Sequence, residues 1–179
     1  MAPRATVYKA QLQVTDIDRN HYADHALTIA CHPSETEERL MLRVLAFALN
    51  ASDGLSFGKG LSQDDEPDLW ARDLTGRILT WIELGQPDEK AILRACGRAD
   101  QVIVYAYAAN AVAWWQALQN KLTRAKKLTV FAVAPATREA LGRFAARSMD
   151  LQCTIQDGDV WLRSSTDALQ VELAKLVGA

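Results

Sequence analysis

Cysteine is scarce in this sequence of 179 residues, and long apolar runs are absent from it. The three cysteines, Cys31, Cys96 and Cys153, lie far apart and form no CxxC pair. This spacing argues against a disulfide framework or a zinc site and predicts free thiols in a reducing cytoplasm. No run of about 18 apolar residues occurs, and the N-terminus lacks a signal-peptide pattern, so we expect a cytoplasmic protein without a membrane span.

An excess of positive charge is also lacking, since the formal net charge is −2. A protein that holds duplex DNA through its phosphates usually carries a basic excess, so the composition counts against tight, unassisted binding of nucleic acid. The densest basic group consists of Lys121, Arg124, Lys126 and Lys127. Two interpretations of this group stay open: a local contact for a phosphate backbone, or a solvated helix end where cations suit the dipole.

Two other clusters have an ordinary structural explanation. Trp114 and Trp115 offer surfaces on which bases stack, but tryptophan pairs on amphipathic helices more often belong to a core or an interface. His21 and His25 flank a predicted turn instead of one helical face, and we do not expect them to bind a metal ion.

The remaining composition is that of a globular protein, with 49% hydrophobic and 23% charged residues. A chain of this length buries enough apolar surface to fold without disulfides or structural metals. No repeat and no linker divides the sequence. We therefore predict a single domain over residues 1–179.

The apolar pattern predicts an α/β (α+β) fold with a mixed central sheet flanked by helices. Hairpins dominate the first half, and buried strands alternate with helices in the second. Strands are predicted at 5–14, 25–31, 55–57, 101–108 and 128–135. Helices are predicted at 35–50, 88–99, 110–126 and 137–148. A final hairpin should turn at Asp157-Gly158, before a short C-terminal helix that follows Asp167.

The first helix places carboxylates near an apolar stripe. Ser34 and Glu37 predict a capping box at its start. Glu38 then shares one face with apolar residues at helical spacing, namely Met41, Leu42, Leu45 and Leu49. A carboxylate beside a buried stripe needs a partner such as an arginine or a metal ion. The alternative is that Glu35 and Glu38 only cap the helix and face solvent.

A hairpin between residues 68 and 85 supplies two more carboxylates. A two-residue turn at Thr75-Gly76 would place Leu74 opposite Arg77 and Trp70 opposite Trp81. Asp68 would then face Glu83, with their Cβ atoms about 5 Å apart. Carboxylates that close repel each other, and a divalent cation would relieve the repulsion. A turn one residue longer would shift the register and separate the pair.

Four segments resemble the YaeQ family in order and spacing, and the similarity runs along nearly the whole chain. They are His32-Pro33-Ser34-Glu35, Asp64-Asp65-Glu66-Pro67, Trp81-Ile82-Glu83-Leu84-Gly85 and Thr154-Ile155-Gln156-Asp157-Gly158. The resemblance implies a variant of the restriction-endonuclease-like PD-(D/E)xK nuclease core. In that core a helix supplies one acidic residue, and a hairpin supplies Asp followed by Glu-x-Lys.

On this pattern Glu38 corresponds to the helix acid, with Glu35 as its rival, and Asp68 and Glu83 correspond to the hairpin acids. Asp65, Glu66 and Asp73 are competing acids near the hairpin. The resemblance thus implies that Glu38, Asp68 and Glu83 bind Mg²⁺ or Mn²⁺ and that the protein hydrolyses phosphodiester bonds of a nucleic acid. An ion pair from Arg39 or Arg43 to a hairpin acid would argue against this metal site.

The sequence departs from the pattern at its lysine, because Leu84-Gly85 follows Glu83. Glycine neither activates water nor neutralises phosphate charge. Gln86 is the nearest polar replacement, and Lys90 or Arg94 on the next helix would supply the missing positive charge. The alternative function is a non-catalytic binding or interaction protein on the same scaffold, which the lost lysine and the acidic pI favour.

Overall fold

The computed structural model describes residues 4–59 and 65–178. These contain eleven strands and four α-helices. The strands are β1 (Thr6–Asp16), β2 (His21–Cys31), β3 (Leu55–Phe57), β4 (Leu69–Arg72), β5 (Ile78–Leu84), β6 (Ala99–Ala106), β7 (Leu128–Val133), β8 (Ser148–Gln156), β9 (Asp159–Arg163), β10 (Ala168–Val171) and β11 (Leu173–Val177). The helices are α1 (Glu37–Leu49), α2 (Glu89–Arg98), α3 (Ala111–Leu118) and α4 (Pro135–Gly142).

The strands form two mixed sheets, so the α/β class is confirmed but the single central sheet is wrong. One sheet has five strands in the order β10-β9-β8-β1-β2, and the other has six in the order β11-β7-β6-β5-β4-β3. The burial pattern explains the division. Side chains of β8 alternate between buried and exposed, which suits a sheet with one face in water, whereas β6 is buried continuously from Val102 to Ala106.

Helix α1 lies in the main core, which takes side chains from both sheets. Nine consecutive residues from Leu40 to Ala48 are buried, and the same core includes Leu12 of the five-stranded sheet and Ile82 of the six-stranded sheet. Helix α4 packs against α1. A second core on the other side of the larger sheet contains Trp70, Trp81 and Trp115. The start of α1 lies beside the start of β4 and the end of β5.

Several predicted boundaries are wrong at the ends of helices. The helix predicted at 110–126 stops at Leu118 and continues as a short 3₁₀ turn to Lys121. The helix predicted at 137–148 starts earlier, at Pro135, where a missing N–H costs nothing. It ends at Gly142, and residue 148, the last of the predicted helix, already belongs to β8. Strand β2 starts at His21 instead of residue 25, since β1 and β2 pair without interruption along eleven positions.

The predicted C-terminal helix is also wrong. Residues 168–171 form β10 and pair with β9, while residues 173–177 form β11 and pair with β7. The chain therefore passes from one sheet to the other at Glu172. Leu, Ala and Lys favour a helix by their intrinsic propensities, but pairing with two sheets outweighs a preference of a few tenths of a kcal/mol per residue.

No helix within residues 4–59 and 65–178 is long and apolar enough to cross a membrane. All three cysteines are free thiols, and Cys31 and Cys153 are buried. Burial raises the pKa of the Cys153 thiol to about 12. This thiol therefore stays protonated and unreactive at neutral pH.

Candidate functional site

The chain just before α1 buries a carboxylate between two arginines. The side chain of Glu35 is 2% exposed. Arg43 donates two hydrogen bonds to it, from Nη2 to Oε1 at 2.6 Å and from Nε to Oε2 at 3.1 Å. Arg39 Nη1 donates a third to Oε2 at 2.7 Å. The solvent-facing alternative is therefore wrong for Glu35, and its charge is fully compensated inside the protein.

The predicted capping box is replaced by a cap two residues later. Thr36 is the N-cap of α1, and its hydroxyl accepts a hydrogen bond from the backbone N–H of Arg39 at 3.1 Å. Ser34 instead contacts the ring of His32, with Oγ and Nδ1 2.7 Å apart. Starting the helix at Glu37 leaves Glu35 in the preceding turn. From there its side chain reaches both arginines of the first two helical turns.

The hairpin keeps its predicted register although its predicted turn is wrong. Trp70 pairs with Trp81, as expected, but the turn spans Asp73 to Gly76, and Asp73 N–H donates to the carbonyl of Arg77. The register changes next to Arg72, which pairs with Ile78 while Ala71 pairs with Thr80. The turn is one residue longer than predicted, and the bulge adds one residue to β5, so the pairing beyond it returns to the predicted register. Because Leu69 pairs with Ile82, Asp68 lies opposite Glu83.

Asp68 is buried, and both of its carboxylate oxygens are already engaged. Arg39 Nη2 donates to Oδ1 at 2.8 Å, and the backbone N–H of Leu84 donates to Oδ2 at 2.8 Å. Arg39 thus joins Glu35 to Asp68 across the gap between α1 and the hairpin. Burial disfavours the charged guanidinium, but the two carboxylates outweigh this effect and raise the pKa of Arg39 above its usual range.

Glu83 is the carboxyl group of this site that changes protonation near neutral pH. Burial is the main cause that raises its pKa, to about 7, and the negative charge of Asp68 acts in the same direction. A hydrogen bond from Trp81 Nε1 to Oε1 at 2.9 Å and the charge of Arg39 oppose the shift. A carboxyl group with such a pKa is half protonated at pH 7 and can exchange a proton there.

Glu38 contacts a different part of the structure. Its Oε2 lies 3.2 Å from Arg138 Nε on α4, an ion pair by distance whose angle does not suit a hydrogen bond. Arg138 also donates from Nη1 to the carbonyl of Tyr107 at 2.9 Å. Gly142 allows this approach, because a Cβ there would come within 2.9 Å of Glu38 Cγ. Glu38 therefore joins α1 to α4.

The three carboxylates expected to bind a metal ion thus have separate partners. In the described part of the chain, no group of three or more His, Cys, Asp or Glu side chains is arranged to hold a metal ion. Asp68 would first have to exchange Arg39 for the ion, and Glu38 would have to leave Arg138. As they lie, these residues do not fit the proposed Mg²⁺ or Mn²⁺ site, and binding of either ion stays a prediction.

The position of the missing lysine has an unusual backbone. Gly85 has a φ of +107°, and its N–H donates to the carbonyl of Tyr105 at 2.9 Å. Gln86 donates from Nε2 to Asn110 Oδ1 at 2.9 Å, which ties it to the start of α3. Lys90 is exposed on α2, as is Arg94. Neither of these cations takes the place of the missing lysine, and Asp68 is instead contacted by Arg39.

The competing acids have local roles. Asp73 Oδ1 accepts hydrogen bonds from Thr75 and from the N–H of Arg77, which lower its pKa and fix its own turn. Glu66 accepts from the N–H of Lys59 at 3.0 Å. Asp65 is exposed. Asp64, in the segment that resembles the YaeQ family, lies outside the described residues.

The tryptophan pair agrees with its structural interpretation, since Trp115 is buried as expected for a core residue. The helix-end interpretation of the basic group is wrong for most of its members, because α3 ends at Leu118 and the 3₁₀ turn that follows ends at Lys121. All four cations are exposed, and Lys127 donates to the carbonyls of Cys96 and Ala99. His21 and His25 both lie in β2 instead of flanking a turn, with their Nε2 atoms 3.3 Å apart.

Comparison with known proteins agrees with this architecture. The family model described as YaeQ protein matches residues 1–173. The chain belongs to the YaeQ family. It is 46% identical over 174 residues to the uncharacterized protein YaeQ of Salmonella typhi, covering 97% of this chain and 96% of the relative. The YaeQ protein of Escherichia coli K12 is 45% identical over the same length and coverage.

Two crystal structures of YaeQ proteins resemble this YaeQ family member closely. The protein from Xanthomonas axonopodis pv. citri has a TM-score of 0.94 and 45% sequence identity, covering 98% of this chain and 99% of its own. The protein from Pseudomonas syringae has a TM-score of 0.93 and 36% identity, covering 98% and 97% respectively. The pairing of β10 and β11 with two sheets therefore belongs to a fold that is shared with solved YaeQ structures.

Proposed function

We propose that this chain is a binding or interaction protein built on a variant of the PD-(D/E)xK nuclease core, and that it has lost the catalytic use of the core. The ion pair between Arg39 Nη2 and Asp68 Oδ1, 2.8 Å long, carries the proposal. A metal-dependent nuclease needs that carboxylate for its cation. Here a guanidinium of the same protein already compensates the charge.

The state of Glu83 supports the same conclusion. A carboxyl group with a pKa of about 7 is a poorer ligand for Mg²⁺ at neutral pH than a fully ionised carboxylate, because the proton competes with the ion for the same oxygens. The hydrogen bond from Trp81 Nε1 also holds one of its oxygens. Each of the three expected metal ligands thus has a partner within the protein.

The lysine position gives the third argument. Gly85 follows β5 in a positive-φ conformation, and the neighbouring Gln86 is bonded to Asn110. Neither residue supplies a positive charge for a phosphate. The net charge of −2 likewise provides little general attraction for a polyanion.

Cleavage assays with a mixed panel of DNA and RNA test this proposal. The purified protein would be incubated with Mg²⁺, Mn²⁺ or EDTA beside Glu83→Gln and, as a control, Glu139→Gln on the exposed surface of α4. We expect none of the three proteins to cleave above the EDTA background. Cleavage that requires metal, survives Glu139→Gln and disappears in Glu83→Gln would overturn the proposal.

The second candidate function is a divalent-metal-dependent phosphodiesterase acting on nucleic acid. The position of Asp68 opposite Glu83 favours it, since two adjacent carboxyl groups suit a Mg²⁺ or Mn²⁺ ion once Arg39 turns towards Glu35. This function requires that Asp68 first exchange Arg39 for the ion and that Glu38 leave Arg138. The same assay decides between the two functions.

A further inference from the structure

Strand β2 is the long edge of the five-stranded sheet. The two sheets end in β10, β2, β11 and β3. Three of these edge strands are poorly suited to pair with another chain. Strands β3 and β10 are short, with three and four residues, and β11 has an irregular register near Lys175. By contrast β2 runs for eleven residues and pairs with β1 without any shift in register. Long, regular edge strands are the ones that pair with another chain.

The outer edge of β2 presents backbone groups in a regular row. Arg43 donates to the carbonyl of Ala30 at 2.7 Å, which shows that this carbonyl points away from β1. In an antiparallel pair the same direction recurs at every second residue, so Tyr22, Asp24, Ala26 and Thr28 also point their N–H and C=O groups outwards. The side chains of these four residues are exposed. No described residue donates to or accepts from their outward backbone groups.

The sequence of β2 contains none of the usual devices that keep an edge strand alone. It has no proline, lysine, arginine or glycine, and Asp24 is its one carboxylate. Natural proteins usually blunt such an edge with proline, charge or a bulge. Tyr22 is moreover 58% exposed beside this edge, on a face that otherwise has small side chains such as Ala26 and Thr28.

We propose that β2 pairs with β2 of a second copy of this chain, so that two five-stranded sheets join across a two-fold axis. Antiparallel pairing centred on Ala26 places Asp24 opposite Thr28 of the other copy, and it ends before Ala30, whose outward carbonyl is held by Arg43. No like charges face each other in this register, and small residues lie at its centre. The pairing is isologous, because each copy offers the same strand, and it closes as a dimer.

A variant at the axis tests this dimer. Sedimentation equilibrium and light scattering would compare the wild type with Ala26→Lys, which sets two cations opposite each other, and with Ala174→Lys on the β11 edge of the other sheet. Both positions are exposed, so both variants should keep the native circular dichroism. We expect a wild-type dimer, a dissociation constant at least tenfold higher for Ala26→Lys, and no change for Ala174→Lys.

Hydrogen exchange distinguishes this edge from any other interface. The amides of Asp24, Ala26 and Thr28 should exchange slowly in the dimer and rapidly in Ala26→Lys. A wild type that is monomeric at all concentrations would overturn the inference, as would a dimer that persists in Ala26→Lys. Protection of these amides only after another protein is added would also overturn it, in favour of a different partner. The result is independent of the proposed function, because β2 lies outside the carboxylate site.

Discussion

Arg39 and Asp68 form an ion pair with an Nη2–Oδ1 distance of 2.8 Å, and their side chains are 12% and 8% exposed. The pair joins the first turn of α1 to the start of β4. The guanidinium of Arg39 thus compensates the negative charge of the buried carboxylates Glu35 and Asp68 within the same chain.

Removing the guanidinium should expose a latent metal site. In Arg39→Met, Asp68 loses its cation and lies opposite Glu83 without compensation, so a divalent ion is favoured there. We expect calorimetric titration with Mn²⁺ to show at least tenfold tighter binding in Arg39→Met than in the wild type. Arg94→Met, on the exposed face of α2, is the control and should bind like the wild type. Equal affinities in all three proteins would contradict the competition between arginine and metal.

Glu35 should matter for stability far more than its neighbour Glu37. Glu35 is buried between Arg39 and Arg43, whereas Glu37 is exposed in the first turn of α1. Removing one partner of a buried ion pair typically costs about 3–5 kcal/mol, because it leaves the other charge unpaired. Urea denaturation should therefore show a loss on this order for Glu35→Gln and less than about 1 kcal/mol for Glu37→Gln. Similar losses in both variants would show that the buried pair is not the cause.

The free energy of unfolding should depend on the protonation of Glu83. Its folded pKa of about 7 lies above its ordinary value of 4.5, so the folded state binds the proton more strongly than the unfolded chain does. The stabilising contribution is complete below pH 4.5 and disappears as the pH rises through 7. The size of this contribution is on the order of 3 kcal/mol, from a shift of about 2.5 pKa units at about 1.4 kcal/mol each.

Urea denaturation between pH 4.5 and pH 8 measures this contribution, and Glu83→Gln should remove the corresponding slope. The amide oxygen of glutamine can still accept the hydrogen bond from Trp81, so the variant changes titration more than packing. A wild-type slope that is unchanged in Glu83→Gln would assign the pH dependence to another group.

Restoring the lysine of the nuclease pattern should destabilise the protein. A Cβ at Gly85 would have space, since it would meet only Tyr107 Cε1, at 3.9 Å. The residue has a φ of +107°, however, a backbone conformation that L residues with a side chain rarely adopt. Gly85→Lys should therefore cost about 1–3 kcal/mol in urea denaturation. Gly97→Ala, in helix α2 with open space around it, should instead stabilise by about 0.5–1 kcal/mol. A neutral effect of Gly85→Lys would show that the loop relaxes without strain.

Much of the fold could be predicted because apolar periodicity follows burial directly. The buried run of β6 comes from such a pattern, whereas the hairpin register at Trp70 and Trp81 depends on the turn. The register was obtained through the wrong turn, however, since neither the five-residue connection nor its compensating bulge has a signal in the sequence. Strand β11 was missed for a similar reason, because its partner β7 is distant in sequence. Strand β10 directly follows its partner β9, but the residues that follow Asp167 favour a helix by their intrinsic propensities.

The site was predictable in its acids and less so in its cations. Asp68 and Glu83 follow from the hairpin register. The spacing of Glu35, Arg39 and Arg43, four residues apart each time, is the one local signal of the buried network, because such residues share a helical face. Arg138 had no such signal. It reaches Glu38 only because α4 packs on α1 with Gly142 at the contact.

The passage of the chain between sheets at Glu172 has a consequence for unfolding. Strand β10 is an edge strand of the five-stranded sheet, and β11 is an edge strand of the six-stranded sheet. The two strands lie within ten residues of each other in the chain, so the C-terminal segment connects the edges of the two sheets. Detaching both strands would uncover β9 in one sheet and β7 in the other. The backbone at Glu172 thus links an edge of one sheet covalently to an edge of the other.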